Sequence, residues 1–407
     1  MTDTTASPAS DGGAPAIRRN VAILAFCQAL SQTGATMTIT VSALAGYMLA
    51  TNKAMATVPF ALQFTLTMVA TIPASLLMGK IGRRAGFTVG QCIGICGAGI
   101  AVFGIVEHSF WIFAVGSAVI GIHNAFWQYY RFAAADASSE DYRSRAISYV
   151  MAGGLIAAVA GPQLAKLTRD ALTDAVFAGS YATFVLLCLA AIAMVQGLKI
   201  PKPAVSHISG AGRKLSEIAV APVFLVAVMA GMIGYGSMNL VMTATPLAMT
   251  HAKHGFGDTA FVIQWHVLAM FAPSFFTGHL IKRFGVLHII IAGALLMIAC
   301  MGVNLQGEGL WYFWTGLVLL GLGWNFMFIG GTTLLTEAYK PIERAKVQAA
   351  NDFLVFAAVS LSSFSSGALH HALGWQAVNF GILLPVLAAF AGAAWLLMKR
   401  RREKVLG

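Results

Sequence analysis

The chain has 407 residues, of which 58% are hydrophobic and only 10% are charged. Soluble domains carry roughly 25% charged residues, so this composition excludes a water-soluble globular protein of this size. The formal charge of +11 is not that of a nucleic-acid-binding protein, because the basic residues lie in short loops between apolar segments. We therefore expect an integral membrane protein whose partners are the lipid bilayer and a small-molecule solute, and no nucleic acid.

Apolar segments recur along the whole chain, and a membrane-spanning helix needs about 20 such residues. Six lie near residues 21–49, 57–79, 87–106, 111–134, 146–166 and 176–197, and six near 222–250, 258–281, 287–305, 311–336, 347–370 and 375–398. We expect a disordered cytoplasmic tail over 1–17, an N-terminal bundle over 18–197, a cytoplasmic linker over 198–221, a C-terminal bundle over 222–398 and a basic cytoplasmic tail over 399–407. The fold class predicted is an all-α membrane protein with twelve transmembrane helices in two six-helix bundles.

The basic residues predict the orientation of these spans. With the N-terminus in the cytoplasm, 21 of the 26 Lys and Arg residues fall on the cytoplasmic side. Four fall outside, at Lys53, Lys166, Arg169 and Lys253, and Arg131 lies within a span. Because basic loops stay on the cytoplasmic side, this asymmetry predicts a multi-pass protein of a bacterial inner membrane with both termini in the cytoplasm.

The two halves of the chain repeat. The segments 79–86 and 278–285 both read G-x-x-x-[RK]-R-x-G, and they begin 199 residues apart. Gly121 in span four and Gly321 in span ten are each followed five residues later by phenylalanine. Matches in register at a fixed offset indicate a duplicated six-helix unit.

The repeated loop motif resembles the signature of the major facilitator superfamily, G-x-x-x-D-R-x-G, with Arg83 and Lys282 in place of the usual Asp. The topology resembles that family from about residue 18 to residue 400. This resemblance implies two bundles around a solute site near the bilayer midplane, exposed to each side in turn. The segments 234–249 and 263–278 are further similar to a group of bacterial transporters that includes riboflavin importers.

Acidic residues end spans four and ten, and we expect them to take part in gating. Asp136 could pair with Arg84, and Glu337 with Arg283, in ion pairs that break when the bundles rock. The alternative is that these arginines only keep their loops in the cytoplasm.

Amides and aromatic rings, rather than charges, occupy the middle of several spans. At helical spacing they form stripes on spans one, four and seven, with further candidates on spans eight and ten. The predicted solute-binding residues are Gln28, Gln32, Asn124, Gln128, Tyr235, Asn239, Trp265, Trp324 and Asn325. Rings stack on flat solutes and amides both donate and accept hydrogen bonds, so we expect a small, neutral, polar, planar solute, riboflavin first. Hydrogen bonding between helices is the open alternative for each stripe.

Titratable groups are scarce inside the spans. His266 and Asp352 are candidates for proton coupling, although a single intramembrane histidine is often a packing residue. Arg131 lies about 20 residues, or roughly 30 Å, beyond the start of its span, so we expect it near the cytoplasmic face. The sequence shows no nucleophile–base set, metal constellation or phosphate-binding loop, so we predict no enzyme, no catalytic residue, no cofactor and no metal. We expect a monomer, and proton-coupled efflux of hydrophobic drugs or another metabolite is the alternative function.

Overall fold

The computed structural model describes residues 13–138, 143–172, 174–200 and 212–406. Regular structure in these ranges is helical. The N-terminal bundle contains α1 (Gly13–Leu49), α2 (Val58–Ile81), α3 (Arg83–Val106), α4 (Phe110–Trp127), α5 (Tyr130–Asp136), α6 (Arg143–Thr168) and α7 (Ala178–Val195). After a short helix, α8 (Leu215–Ala219), the C-terminal bundle contains α9 (Pro222–His251), α10 (Phe256–Phe271), α11 (Ser274–Phe284), α12 (Val286–Asn304), α13 (Leu310–Leu335), α14 (Arg344–Phe380) and α15 (Leu383–Leu406).

Nine stretches in the described ranges are long and apolar enough to cross a membrane, or ten when α10 and α11, bent by 44°, count as one span. One of the nine runs from Lys346 to Glu403 and has 58 residues. At 1.5 Å per residue it would be about 87 Å long, far more than a bilayer requires. It breaks at Gly374, whose φ of +78° is not helical, so it forms two spans. Counting α10 and α11 as one span, this division gives eleven spans. The helix α1, whose 37 residues include four threonines and two glutamines, makes twelve.

Several predicted boundaries differ from the observed ones. Residues 13–17 belong to α1 and are helical, whereas we expected a disordered tail up to residue 17. The part of that tail before Gly13 and residues 201–211 of the linker lie outside the described residues. The basic C-terminal segment is a helical extension of α15 as far as Leu406. Span eight bends at Pro273 because proline lacks the N–H that would continue the helix.

The two copies of the loop motif break their helices at different positions. In the first copy α2 gives way to α3 at Gly82, the fourth residue of the motif. In the second copy α11 gives way to α12 at Gly285, the eighth residue. Both glycines have a φ of +91°, which residues with a side chain rarely adopt. Because Ile281 replaces the earlier glycine in the second copy, α11 continues for four residues more.

An even number of crossings places the start of α1 and the end of α15 on the same side of the membrane, here called the terminal side; the other is the opposite side. Each bundle has buried apolar clusters of its own, around Tyr130 in the N-terminal bundle and around Ile290 in the C-terminal bundle. The bundles meet where α2 packs on α14, α6 on α10 and α1 on α9. These contacts frame a cleft between the bundles.

Candidate functional site

A cavity of about 450 Å³ lies between the two bundles. Its walls are Arg131, Ile147, Ser148, Met151, Ala152 and Leu155 from the N-terminal bundle and Phe271, Ser274, Phe275, Trp324, Phe328, Ile329, Thr332 and Thr333 from the C-terminal bundle. Trp324 is near the middle of α13 and Thr333 near its terminal-side end. The cavity therefore extends from the middle of the bilayer toward the terminal side, and its volume suits a small molecule, for which sites of roughly 300–1,000 Å³ are usual.

Aromatic rings of the C-terminal bundle form one wall of this cavity. Trp324 and Phe328 lie one turn apart on α13, and their rings are stacked at 5.1 Å with an angle of 10° between their planes. The ring of Tyr235 meets both of them edge-on, at 5.4 and 5.5 Å. Phe271 of α10 lies 6.0 Å from Trp324. Packing on three sides holds Trp324 in place, so its indole is a rigid surface rather than a mobile side chain.

Two hydrogen-bond donors at the cavity lack a partner among the described residues. They are Nε of Arg131 and Nε1 of Trp324, both buried. The Arg131 guanidinium also lies 4.8 Å from the ring of Phe132. Asp352 of α14 is near enough to interact electrostatically with Arg131 from the other bundle. A buried donor without an acceptor costs about 1–3 kcal/mol, so this wall favours a ligand that brings acceptors.

Hydrogen bonds join the bundles on the opposite side. The Thr57 hydroxyl at the start of α2 donates to the Ser363 carbonyl at 2.7 Å and accepts from the Gly367 amide at 3.0 Å. Gln163 of α6 donates to Gln264 of α10 at 2.7 Å. These bonds lie beyond the cavity as seen from the terminal side, so the described residues close the cleft toward the opposite side.

Two of the predicted solute-binding residues lie in the aromatic wall or against it: Trp324 lines the cavity, and Tyr235 packs on Trp324. The predicted residues of the N-terminal bundle are partly engaged with each other. Gln28 donates to Gln32 at 3.0 Å, and Asn124 accepts a hydrogen bond from Trp127 at 3.0 Å. Gln128 is half-buried at the end of α4.

Asn239 faces α14 instead of the cavity. It is fully buried, and its Nδ2 lies within hydrogen-bond distance of three acceptors on α14, between which its two N–H groups are shared. The acceptors are the Val359 carbonyl at 3.1 Å, Ser362 Oγ at 2.9 Å and Ser363 Oγ at 2.6 Å. In this conformation Asn239 is a link between two helices of one bundle, which corresponds to the alternative reading of its stripe.

Asn325 has a similar position between α13 and the bend of span eight. It is fully buried, donates to the Met270 carbonyl at 2.7 Å and to Ser274 Oγ at 2.8 Å, and accepts from Thr277 at 2.7 Å. Met270 lies before Pro273, so the amide satisfies a carbonyl next to the helix bend. Asn325 does not line the cavity, but it holds the hydroxyl of Ser274, which does.

The predicted residues of span eight lie away from the cavity. Trp265 is 40% exposed on the outer surface, with its ring 5.9 Å from that of Trp314. His266 is fully buried, and its Nδ1 lies 2.8 Å from the Leu317 carbonyl of α13. Trp265 is therefore placed toward lipid, and His266 packs between two helices of its own bundle.

The basic partners that we predicted for the two gate pairs are wrong. Asp136 pairs with Arg83 at 2.8 Å, and Glu337 pairs with Arg400 at 2.7 Å. Each pair lies inside one bundle, so rigid rocking of the bundles would leave both intact.

The arginines that we assigned to these pairs have other contacts. Arg84 donates to the side-chain oxygen of Gln196 at 2.9 and 3.2 Å, and the Arg283 guanidinium lies 5.2 Å from the ring of Phe284. Asp352, the second candidate for proton coupling, is exposed and accepts from Asn351 at 3.1 Å. Asp352 and Arg131 are thus opposite charges on different bundles.

Arg131 and Phe271 are cavity residues that sequence reasoning did not assign to the site. The distance of Arg131 from the start of its span placed it near the membrane surface, and it does lie near that end, but the cavity extends that far. The sequence did indicate the side of the helix on which Arg131 lies, because Arg131 follows Asn124 and Gln128 at helical spacing. For Phe271, the nearby Pro273 marks a helix bend, where cavities often form, although the sequence does not give its direction.

Two bundles of alternating spans around a cavity that is closed on the opposite side define a multi-pass membrane transporter. The chain belongs to the Major Facilitator Superfamily, whose sequence profile matches residues 22–272 and 228–406. It is 42% identical over 392 residues to "Riboflavin transporter RfnT" of Brucella anthropi, with 95% of each chain covered. It is 30% identical to "Uncharacterized MFS-type transporter YddS" of Bacillus subtilis, over 86% of this chain and 84% of the relative.

The fold is also that of a solved transporter. The crystal structure of an auto-inhibited POT family peptide transporter superposes with a TM-score of 0.66 at 12% identity, over 94% of this chain and 97% of the other. At this identity the likeness concerns the fold alone.

Proposed function

We propose that this transporter takes up a neutral, polar, planar solute, and that riboflavin is that solute. The observation that carries the proposal is the aromatic wall, in which Trp324 and Phe328 are stacked and braced by Tyr235. A flat ring system gains most from such a surface, because aromatic stacking adds about 0.5–1.5 kcal/mol to the burial of apolar area. The 42% identity to a protein named as a riboflavin transporter supports the same solute.

The polar groups of the cavity support a solute without net charge. Arg131 is balanced by Asp352 across the cleft, so a second anion would compete with a carboxylate of the protein. The unpartnered donors on Arg131 and Trp324 would instead bind neutral carbonyl oxygens or ring nitrogens, which a flavin ring has in number. The hydroxyls of Thr332 and Thr333 lie toward the terminal side and suit a hydroxylated chain.

Transport would proceed by alternating access. In this proposal the terminal side is the cytoplasm, since 21 of the 26 basic residues fall there, and the cavity extends toward it. In the outward-open conformation the bonds of Thr57 and Gln163 would break, and Arg131 would approach Asp352 as the cytoplasmic side closes. This cross-bundle pair replaces the two gate pairs expected from the sequence.

Uptake can be tested in bacterial cells that cannot synthesise riboflavin. Cells carrying this chain should grow on low external riboflavin and accumulate the labelled vitamin, and purified protein should quench flavin fluorescence on binding. Cells that express the protein in the membrane but neither grow nor accumulate label would contradict the proposal. Raised drug tolerance of a sensitive host, without riboflavin uptake, would instead favour the efflux function.

A further inference from the structure

A second cavity lies at the terminal side of the C-terminal bundle, away from the cleft. It has a volume of about 550 Å³ and lies between the first turn of α12 and the last turns of α15. Its polar lining consists of His288, Arg400, Arg401 and Glu403, and its apolar lining includes Phe284 and Leu397. The cavity therefore combines cationic groups with a hydrocarbon wall.

Two of the charged residues that line this cavity are in ion pairs. Arg400 is engaged by Glu337 at 2.7 Å, and Glu403 is 4.0 Å from Lys399. Arg401 instead lies 3.4 Å from the Nε2 of His288. Because a guanidinium has five N–H donors, this contact leaves most donors of Arg401 available. Among the described residues, none of the ion pairs at this end of the bundle involves Arg401, so the cavity presents this cation beside an imidazole.

Side chains of α15 mark the depth of the cavity in the membrane. Trp395 is 48% exposed, and the Lys399 ammonium lies 5.7 Å from its ring. Exposed tryptophan next to lysine is typical of the boundary between hydrocarbon and headgroups. On the same helix Leu384 is 77% exposed and Met398 54% exposed, as expected of a lipid-facing surface. The cavity therefore lies at headgroup level beside lipid.

The N-terminal bundle fills the corresponding corner with its own side chains. There α3 begins beside the end of α7, and Arg84 donates to Gln196 at 2.9 Å while Gln196 donates to Thr88 at 3.1 Å. In the C-terminal bundle Leu287 replaces Thr88 at the 199-residue offset, and Arg283 lies in α11 against Phe284. One copy of the duplicated unit closes this corner with hydrogen bonds, and the other leaves it open and cationic.

We propose that this second cavity binds the anionic headgroup of a phospholipid, with Arg401 and His288 on the phosphate and Phe284 and Leu397 beside the acyl chain. Basic pockets between helices at the cytoplasmic boundary attract anionic lipids. A soluble phosphate would use the cationic groups but not the hydrocarbon wall.

The test is lipid binding to the purified full-length transporter, measured by native mass spectrometry. The probes are phosphatidylglycerol, phosphatidylcholine and inorganic phosphate. Phosphatidylglycerol should bind more tightly than phosphatidylcholine, and phosphate should not displace it at equal concentration. Equal retention of the two lipids would overturn the proposal, and so would binding of phosphate with the same affinity as phosphatidylglycerol.

Variants locate the site. Arg401→Gln should weaken phosphatidylglycerol binding about fivefold, the effect of one basic group near an anionic headgroup, and addition of His288→Gln should weaken it further. Arg402→Gln removes the same charge one residue away, outside the cavity lining, and should have little effect. Equal losses from Arg401→Gln and Arg402→Gln would reduce the effect to general surface charge and overturn the site. Should a variant fail to fold, the three-probe comparison on the unaltered protein still decides.

Discussion

In the N-terminal bundle the cavity wall consists of Arg131 and small or aliphatic residues of α6, whereas in the C-terminal bundle it consists of aromatic rings and hydroxyls. The two bundles nevertheless share their helix order and their repeated motifs. Two matching positions, Gly121 and Gly321, are packing positions. A Cβ atom at Gly121 would clash with the Gln63 carbonyl, and one at Gly321 would lie 2.6 Å from the His266 carbonyl.

This difference shows which parts of the duplicated unit are constrained alike. Close helix approach needs small residues at the same places in both copies, so the glycines agree. In the proposed function the two faces of the cavity would contact one solute from two sides, so they need complementary rather than identical groups. We therefore expect substitutions in the aromatic wall to change the affinity for the solute. Substitutions of Arg131 should instead change the rate at which the bundles move.

The largest expected effect comes from the aromatic wall. Trp324→Ala removes the stacked surface, and we expect loss of about 3 kcal/mol of binding, or roughly a hundredfold in affinity. The measurement is flavin fluorescence quenching with purified protein, together with cellular uptake. Trp311→Ala is the matched control, because Trp311 begins the same helix but is 67% exposed toward lipid. Similar affinities for both variants would show that the aromatic wall does not bind the solute.

The cation of the N-terminal bundle should matter for turnover. Arg131→Gln leaves Asp352 without its opposite charge when the terminal side closes. We expect uptake to fall about tenfold, the effect of roughly 1.5 kcal/mol, which is the lower end of the range for hydrogen bonds to charged groups. The exchange Arg131→Asp with Asp352→Arg should restore part of the rate.

Arg283→Gln is the control for the Arg131 experiment, since Arg283 contacts a ring within its own bundle. It should leave uptake near that of the unaltered protein. If the charge exchange restores nothing and Arg283→Gln is equally damaging, then Arg131 and Asp352 are not a cross-bundle pair.

Contacts on the opposite side should affect the balance of conformations less strongly. Thr57→Val removes both bonds of the Thr57 hydroxyl to α14, and at about 1 kcal/mol net we expect a shift of roughly fivefold toward opening of the opposite side. Distances between spin labels on the opposite ends of α2 and α14 would measure it. Thr65→Val on the same helix removes only a bond to the Ala61 carbonyl within α2, and it should leave the distances unchanged.

Substitution of Asn239, a buried amide of the C-terminal bundle, should have a smaller effect on transport. Asn239→Ala breaks the link to α14 and should cost about 1–3 kcal/mol of stability, seen as a lower melting temperature of the purified protein. Uptake per folded molecule should change little, because Asn239 does not line the cavity. Gln306→Ala, which loses only a bond to the Gly302 carbonyl in the last turn of α12, should leave the melting temperature unaltered. A loss of flavin affinity in Asn239→Ala at normal stability would return this residue to the binding site.

These expectations show how far the sequence predicts the molecule. The twelve spans and their grouping could be read from apolar runs, because lipid allows few alternatives to a long apolar helix. Trp324, which the sequence placed in the amide and aromatic layer, lines the cavity, and its contact with a solute stays a prediction. The stripes containing Asn239 and Asn325 could not be resolved in the same way. Helical spacing tells which face a residue occupies, but it does not tell whether a cavity or another helix lies across that face.

The gate pairs illustrate a second limit. The acids at Asp136 and Glu337 do form ion pairs, but with Arg83 and Arg400. Consecutive residues on a helix differ by about 100° in direction, so choosing between Arg83 and Arg84 requires the start of α3. That start is set by the backbone at Gly82, which the sequence motif alone does not reveal. Arg400 is 63 residues from Glu337 in the sequence, and it belongs to neither copy of the repeated motif.

The smallest effect of pH near neutrality is expected where the linker joins the C-terminal bundle, at the contact between Arg213 and Glu343. The described part of the N-terminal bundle has no corresponding contact. Glu343 is fully buried and accepts from the Arg213 side chain at 2.7 and 2.9 Å and from the Lys340 amide at 3.0 Å. These bonds, chiefly those from Arg213, hold the pKa of Glu343 well below its ordinary value.

The lowered pKa of Glu343 determines how the stability of this junction changes with pH. Because the folded-state pKa is lowered, the pair stabilises the junction fully above the unfolded-state pKa of about 4.3, and this contribution is lost as pH falls toward the folded-state value. Proteolysis of the linker should therefore be unchanged between pH 8 and pH 6 in the native protein. Glu343→Gln should accelerate cleavage across that range, while Glu217→Gln, on the exposed face of α8, should not. If cleavage of the native linker rose between pH 8 and pH 6, a group with a higher pKa would control the junction, and Glu343 would not.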